Sequence, residues 1–291
     1  MSAATTLPPE RRLARPRISI VTLSIVAFLA LSVASWSYVL FGTGDTLVEL
    51  FSQESWSRAR TFIGELAGVG SQVRPAFLQW EKWRHAIGLA YETLAMSVLA
   101  MGFAGIGVLL TFLLAARNVA MGELAASRSL AWRSLFFVTR SLYIFTRGIP
   151  ELFWAMLIIF VLSPGILPGA VALGLHNFGI LGRLSAEVVE NADPRPARAL
   201  RAAGAGTFQM LAYGVLPQAL PQFLTYLLYR WEVVIRTTIV VGFVGAGGLG
   251  RDFRLAMSWF HYTDVALLLM CYLALVVGVD LLSAWLRKLA K

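Results

Sequence analysis

Residues Arg198 to Pro221 read RALRAAGAGTFQMLAYGVLPQALP. The stretch is rich in small residues and carries Arg198 and Arg201, yet it lies between two long apolar segments. Just before it, Asp193-Pro194-Arg195-Pro196 closes the preceding segment. Each proline lacks an N–H and disfavours helix in the residue before it. From Ala197 to Tyr213 the chain offers good helix formers. Leu200, Ala203, Phe208, Leu211 and Ala212 are apolar, and Arg198, Arg201 and Gln209 are polar. Gly204 and Gly206 weaken a free helix, so they imply close packing or a bend between two short helices. Pro217 suits the start of the next helix. The expectation is a short helix pair over residues 194–214, shaped more like a docking knob than an ordinary loop.

The solvent around that knob follows from composition. Of the 291 residues 58% are apolar and 14% charged, against about a quarter charged in an ordinary soluble domain. Runs of about 20 apolar residues span the hydrocarbon layer as helices. Six such runs appear: Ile18–Phe41, Ala86–Ala115, Ser134–Ser163, Leu167–Val189, Gln218–Val244 and Tyr262–Leu286. The first lacks a small-residue cleavage signal and reads as a retained helix. The predicted class is all-α, a polytopic membrane protein of about six transmembrane helices.

Basic residues set the orientation. Arg11, Arg12, Arg15, Arg17, Arg117, Arg128, Arg133, Arg183, Arg195, Arg198, Arg201, Arg287, Lys288 and Lys291 fall on one side. Arg58, Arg60, Arg74, Lys82, Arg84, Arg251 and Arg254 fall on the other, balanced by acidic residues. The asymmetry places both termini in the cytoplasm. The net charge of +9 is then topology, and no nucleic-acid partner is expected. The segment from Gly42 to Arg84 includes LVELFSQESWSRARTFIGEL, an amphipathic helical pattern suited to lying on the outer membrane face. The chain divides into residues 1–85, holding the tail, first span and outer segment, and a core of residues 86–291.

Little conventional chemistry is visible. Cys271 stands alone in the last span, and the three histidines show no metal-ligand spacing. The cluster Gly245-Ala246-Gly247-Gly248-Leu249-Gly250 lacks the Lys-Ser/Thr of a phosphate loop, and the chain contains no GxxxxGK. No catalytic or metal site is expected, and this chain binds no cofactor of its own.

The informative polar residues are charges inside the spans: Glu92, Arg140, Arg147, Glu151, Arg230, Glu232 and Arg236. Such groups are expensive in lipid and face protein or a water-filled path. Arg147 with Glu151, and Glu232 with Arg236, stand four apart and can meet on one helix face. They are structural salt bridges or the lining of an anion path. Arginine suits the second role because its planar fork matches phosphoryl oxygens. Arg147 and Arg236 rank first, Arg140 and Arg230 being read as nearer helix ends.

RALRAAGAG followed by YGVLPQALP resembles the coupling segment of binding-protein-dependent ABC importer permeases. That consensus runs Glu-Ala-Ala, three residues, Gly, nine residues, a hydrophobic residue, any residue and Leu-Pro. Gly204 takes the glycine place, and Leu216 and Pro217 the end. Arg198 stands where the family has an acid, and Gly214 where a larger apolar residue is usual. TRGIPE (Thr146–Glu151) and GFVGAGGLG (Gly242–Gly250) resemble two further family segments. NADPRPARALRAAGA and LLYRWEVVIRTTIVVGFVGAGGLG are most similar to permeases for phosphonate, phosphite and hypophosphite.

The resemblance implies a type I ABC importer permease fold in the bacterial inner membrane, and a homodimer around a central path. It implies two cytoplasmic P-loop ATPases that bind ATP and Mg, and a periplasmic or lipid-anchored binding protein. The ATPase-coupling residues would be Arg198, Arg201, Ala202, Ala203, Gly204, Ala205, Leu216 and Pro217. The outer glycine-rich turn would be Gly245, Gly247, Gly248 and Gly250. The substrate path would include Arg147, Arg236, Glu151 and Glu232. A methionine or amino-acid importer permease and a secondary transporter are the alternatives.

Overall fold

The computed structural model describes residues 19–42, 51–70, 73–121, 124 and 130–289. Arg11, Arg12, Arg15, Arg17, Arg128 and Lys291, which contribute to the orientation argument, lie outside them, as do residues 43–50 of the amphipathic segment. The chain forms two compact units, Met1–Ile63 and Gly64–Lys291.

The first unit contains α1 (Ile20–Ser37), which continues into a wide π turn, Tyr38–Gly42. The Ser19 hydroxyl accepts from the Val21 amide at 3.3 Å and starts the helix. None of its residues is buried. α2 (Gln53–Leu66) crosses the boundary between the units and buries none either.

The second unit is built around one helix. Its elements are α3 (Trp80–Thr111), α4 (Arg117–Ala120), α5 (Leu130–Gly148), α6 (Glu151–Leu162) and α7 (Ile166–Glu190). They continue as α8 (Arg195–Ala202), α9 (Thr207–Met210), α10 (Leu216–Val241), α11 (Gly248–Ser258) and α12 (Tyr262–Leu289). α7 packs most extensively on α3, and also on α5, α6 and α10. Small residues permit this. A Cβ added at Gly174 would lie 3.0 Å from the Ala100 carbonyl oxygen of α3. One added at Gly182 would run into the Tyr143 ring of α5. Met96, Ala100, Leu173, Leu181, Val234 and Val241 fill the core between these helices. A second cluster gathers Leu89, Leu249, Val265, Leu268 and Cys271.

Among the described residues three helices, α1 with its turn, α3 and α12, are long and apolar enough to cross a membrane, and two bent pairs raise that number to five. One pair is α5 with α6, bent by 93°; the other is the stretch Thr207–Ala246 with α11, bent by 63°. The expected span Ser134–Ser163 is therefore two helices. Ile149 precedes Pro150 and is pushed out of the helical region, and Pro150 brings no N–H. The expected span Leu167–Val189 forms α7, but with its glycines, His176 and Asn177 it is not apolar enough to count among the five. Its neighbours are protein helices rather than lipid tails, so its composition follows packing.

Candidate functional site

The segment that opened the sequence reading folds as two short helices joined at glycine. The Asp193 carboxylate accepts from the Arg195 amide at 2.9 Å and pairs with the Arg195 guanidinium at 2.7 Å, starting α8. Those bonds from Arg195 hold the Asp193 carboxyl below the usual carboxylate range. α8 ends in a Schellman motif. The Gly204 amide donates to the Arg201 carbonyl and the Ala205 amide to the Leu200 carbonyl, both at 3.0 Å. Gly204 sits at φ +87°, a conformation that L side chains rarely adopt.

The return leg is tied to the outward one. A Cβ at Gly214 would lie 2.9 Å from the Ala197 Cα, so only glycine lets the wide turn Leu211–Val215 press on α8. The Gln218 side-chain Nε2 donates to the Asp193 carbonyl at 3.2 Å and to the Gly214 carbonyl at 2.5 Å. Pro217 lies in the first turn of α10. Arg198, Arg201, Ala202, Ala203 and Gly204 are exposed, Ala205 and Leu216 half-buried. Phe208 is 82% and Tyr213 73% exposed. The result is a rigid knob whose outward face offers backbone, methyl groups, two arginines and two aromatic rings.

The glycine-rich turn is packed inward. Gly245, Gly247 and Gly248 have φ of +112°, +93° and +64°. α11 then begins with its free amides on α3: Gly248 donates to the Glu92 carboxylate at 3.1 Å and Leu249 to the Thr93 hydroxyl at 2.9 Å. A carboxylate at a helix N-terminus complements the helix dipole, which accounts for Glu92 as a structural charge. A Cβ at Gly250 would collide with the Ile239 carbonyl oxygen.

The structure re-pairs the intramembrane charges. Arg147 ends α5 and Glu151 begins α6, so the bend breaks the i,i+4 face assumed from spacing. Arg147 is exposed and has no ion pair among the described residues. Glu151 instead pairs with His176 Nε2 at 3.1 Å. His176 Nδ1 donates to the Ile149 carbonyl at 2.8 Å, and Trp154 Nε1 donates to the Thr146 carbonyl at 3.0 Å. Both carbonyls are freed by the bend, and in an apolar surround each needs a donor.

Glu232 and Arg236 share a helix but turn to α12. Glu232 pairs with Arg287, and Arg236 with Asp280 at 2.6 Å. Arg140 donates to Glu190 at 2.5 Å and to the Ala115 carbonyl at 3.0 Å, and Glu190 also accepts from the Arg117 amide at 2.7 Å. Arg230 is not near a helix end; it lies near the middle of α10, half-buried, its Nε and Nη2 donating to Asn177 Oδ1 at 2.9 and 2.7 Å. Sequence reasoning missed His176 and Asn177. Their signal was two adjacent polar residues inside an otherwise apolar helix.

Comparison with known proteins follows the same lines. The family described as binding-protein-dependent transport system inner membrane component matches residues 118–291. A phosphite transport system permease protein, PtxC of Stutzerimonas stutzeri, is 37% identical over 234 residues, covering 79% of this chain and 80% of the relative. The phosphate-import permease protein PhnE of Mycolicibacterium smegmatis is 34% identical over 201 residues, 69% of this chain and 36% of that protein. Among solved structures, an inward-facing MetNI methionine ABC transporter chain superposes with a TM-score of 0.59 at 20% identity, covering 70% of this chain and 95% of its own. A chain of an amino acid ABC transporter with histidines gives 0.56 at 18% identity, covering 70% and 92%. At those identities the likeness shows the fold.

Proposed function

The chain belongs to the binding-protein-dependent transport system inner membrane components, and from that premise we propose that it forms the membrane path of an ATP-driven importer for phosphonate, phosphite or a related phosphorus oxyanion. The observation that carries the substrate class is the 37% identity to a phosphite transport permease across 79% of the chain. Two copies of the chain enclose the path. Two P-loop ATPases bind ATP and Mg in the cytoplasm and grip residues 194–214, with Arg198, Arg201, Ala202, Ala203, Gly204 and Ala205 on the outward face and Leu216 and Pro217 at the root. A periplasmic or lipid-anchored binding protein delivers the anion, and both termini face the cytoplasm.

The physical requirement is a two-state path biased by ATP binding. A stiff knob transmits displacement, and the Schellman-capped, cross-tied segment supplies that stiffness. Arg147 and Glu151, at the bend between α5 and α6, are assigned to the path. Glu232 and Arg236 brace its wall through α12.

The test is reconstitution in liposomes with a candidate ATPase and binding protein. ATP hydrolysis and uptake are followed with phosphite, a phosphonate, phosphate and methionine in turn. Stimulation by a phosphorus oxyanion supports the proposal. Stimulation by methionine alone keeps the coupling and removes the substrate class. Failure to assemble with any ATPase removes both.

A further inference from the structure

Building on that substrate reading, we propose that Arg230, clamped by Asn177, is the intramembrane contact for the travelling oxyanion. The cluster draws on three elements: Glu151 opens α6, His176 and Asn177 lie near the middle of α7, and Arg230 lies near the middle of α10.

Hydrogen-bond logic fixes most of its protons. The Ile149 carbonyl only accepts, so His176 Nδ1 carries a hydrogen. Nε2 lies 3.1 Å from a Glu151 carboxylate oxygen. Asn177 is buried and fixed: its Nδ2 donates to the Leu173 carbonyl at 2.7 Å, which leaves Oδ1 to accept from Arg230.

Arg230 has a neutral amide as its hydrogen-bond partner, where Glu232 and Arg236 each have a charged one. Glu151 is paired with His176 instead, and Arg230 has no ion pair among the described residues. An unneutralised cation at membrane depth is expensive and marks an ion path far more readily than a structural tie. The fork geometry adds a direction. Asn177 occupies the edge formed by Nε and Nη2, and no other acceptor for Arg230 is present among the described residues. The end-on edge, Nη1 with the second hydrogen of Nη2, is the one that takes two oxygens of a carboxylate or phosphoryl group side by side. A single such contact also suits a path, because an anion held by several arginines would not leave.

The decisive substitution is Asn177→Asp. It preserves shape and the acceptor facing Arg230 and cancels the cluster's charge, at the loss of the Nδ2 donor to the Leu173 carbonyl, for which the hydrolysis readout is the control. A purely structural Arg230 would be held as well or better by aspartate; an anion contact would be lost. Arg230→Gln removes the charge directly, and Arg230→Lys keeps charge without the fork. Each variant complex is assembled with its ATPase and binding protein in liposomes. Uptake of labelled phosphite, methylphosphonate and phosphate is measured beside ATP hydrolysis stimulated by the loaded binding protein.

The proposal expects Asn177→Asp and Arg230→Gln to lower uptake by about tenfold or more, Arg230→Lys to fall between, and stimulated hydrolysis to stay near the wild-type rate. Uptake unchanged in Asn177→Asp overturns it, as does a parallel fall of uptake and hydrolysis, which is the mark of a structural role. If the wild-type complex moves none of the three anions, the substrate reading fails first and this site with it.

Discussion

Two glycine-rich stretches use the same residue for opposite reasons. In the knob over residues 194–214, a Cβ on Gly204 would meet nothing within 4 Å, and the glycine is required only by its φ of +87°. In the turn over residues 242–250, Gly245 and Gly247 also answer to positive φ, but Gly242 and Gly250 are required by lack of room. Gly250 abuts the Ile239 carbonyl, and Gly242 would place a Cβ 2.8 Å from the Gly250 Cα. The tip of the knob at Gly204 stands clear of its own protein, with Gly214 packed at its root, while Gly242 and Gly250 vanish into the core. A surface built for a partner keeps its steric freedom, whereas an internal joint spends it on contact.

This contrast can be broken by substitution. The largest effect is expected for Gly250→Ala, whose new methyl strikes backbone that cannot rotate away. Overpacking of this kind costs about 3 kcal/mol, and the readout is loss of a monodisperse, thermally stable protein in detergent. Gly248→Ala is next, at about 2 kcal/mol. It combines φ +64° with a Cβ 2.5 Å from the Thr93 hydroxyl. A lower thermal midpoint with assembly retained is the expected signature.

Gly204→Ala strains only the backbone, by about 1 kcal/mol. The chain is expected to fold and insert normally, and binding-protein-stimulated ATP hydrolysis to drop. Gly204→Asn, better tolerated at positive φ, should recover part of it. An equal loss of thermal stability in Gly204→Ala and Gly250→Ala would erase the distinction.

The smallest effect concerns the start of α8. The folded Asp193 carboxyl is depressed by Arg195, so its contribution is present above the unfolded carboxylate value and lost as pH falls through the folded one. Amide exchange across α8, corrected for intrinsic rates, should quicken only on acidification into that lower range. Asp193→Asn should flatten the dependence.

Much of the bundle was legible because membrane solvent leaves long apolar runs, and prolines mark their breaks. Pro217 announced one helix start, whereas Ser134–Ser163 was read as one span and the bend at Pro150 went unread. α7 was visible as a segment, but its place at the centre depends on which helices its glycines admit. The charge pairs were the least legible. Four-residue spacing nominates Glu232 and Arg236 for each other, yet antiparallel α12 brings Arg287 and Asp280 alongside. Those partners lie far along the chain and leave no local pattern. Arg230 was placed too near a helix end because spans were drawn from hydropathy, which blurs boundaries, and its clamp to Asn177 needs α7 and α10 side by side.

The glycines of α7 have a mechanical consequence. Gly174 seats the Ala100 backbone, and Gly179 seats Tyr143, Thr146 and Arg147. Where main chains touch, there is no cushion of flexible side chains to absorb a push. α3, α5 and α7 should therefore answer a force at the knob as a single beam, pivoting together instead of bending one by one. Adding a methyl at Gly179 would act like a shim, loosening the beam at mid-length. The expected result is a complex that still burns ATP but delivers a shorter stroke, seen as fewer anions moved per ATP hydrolysed.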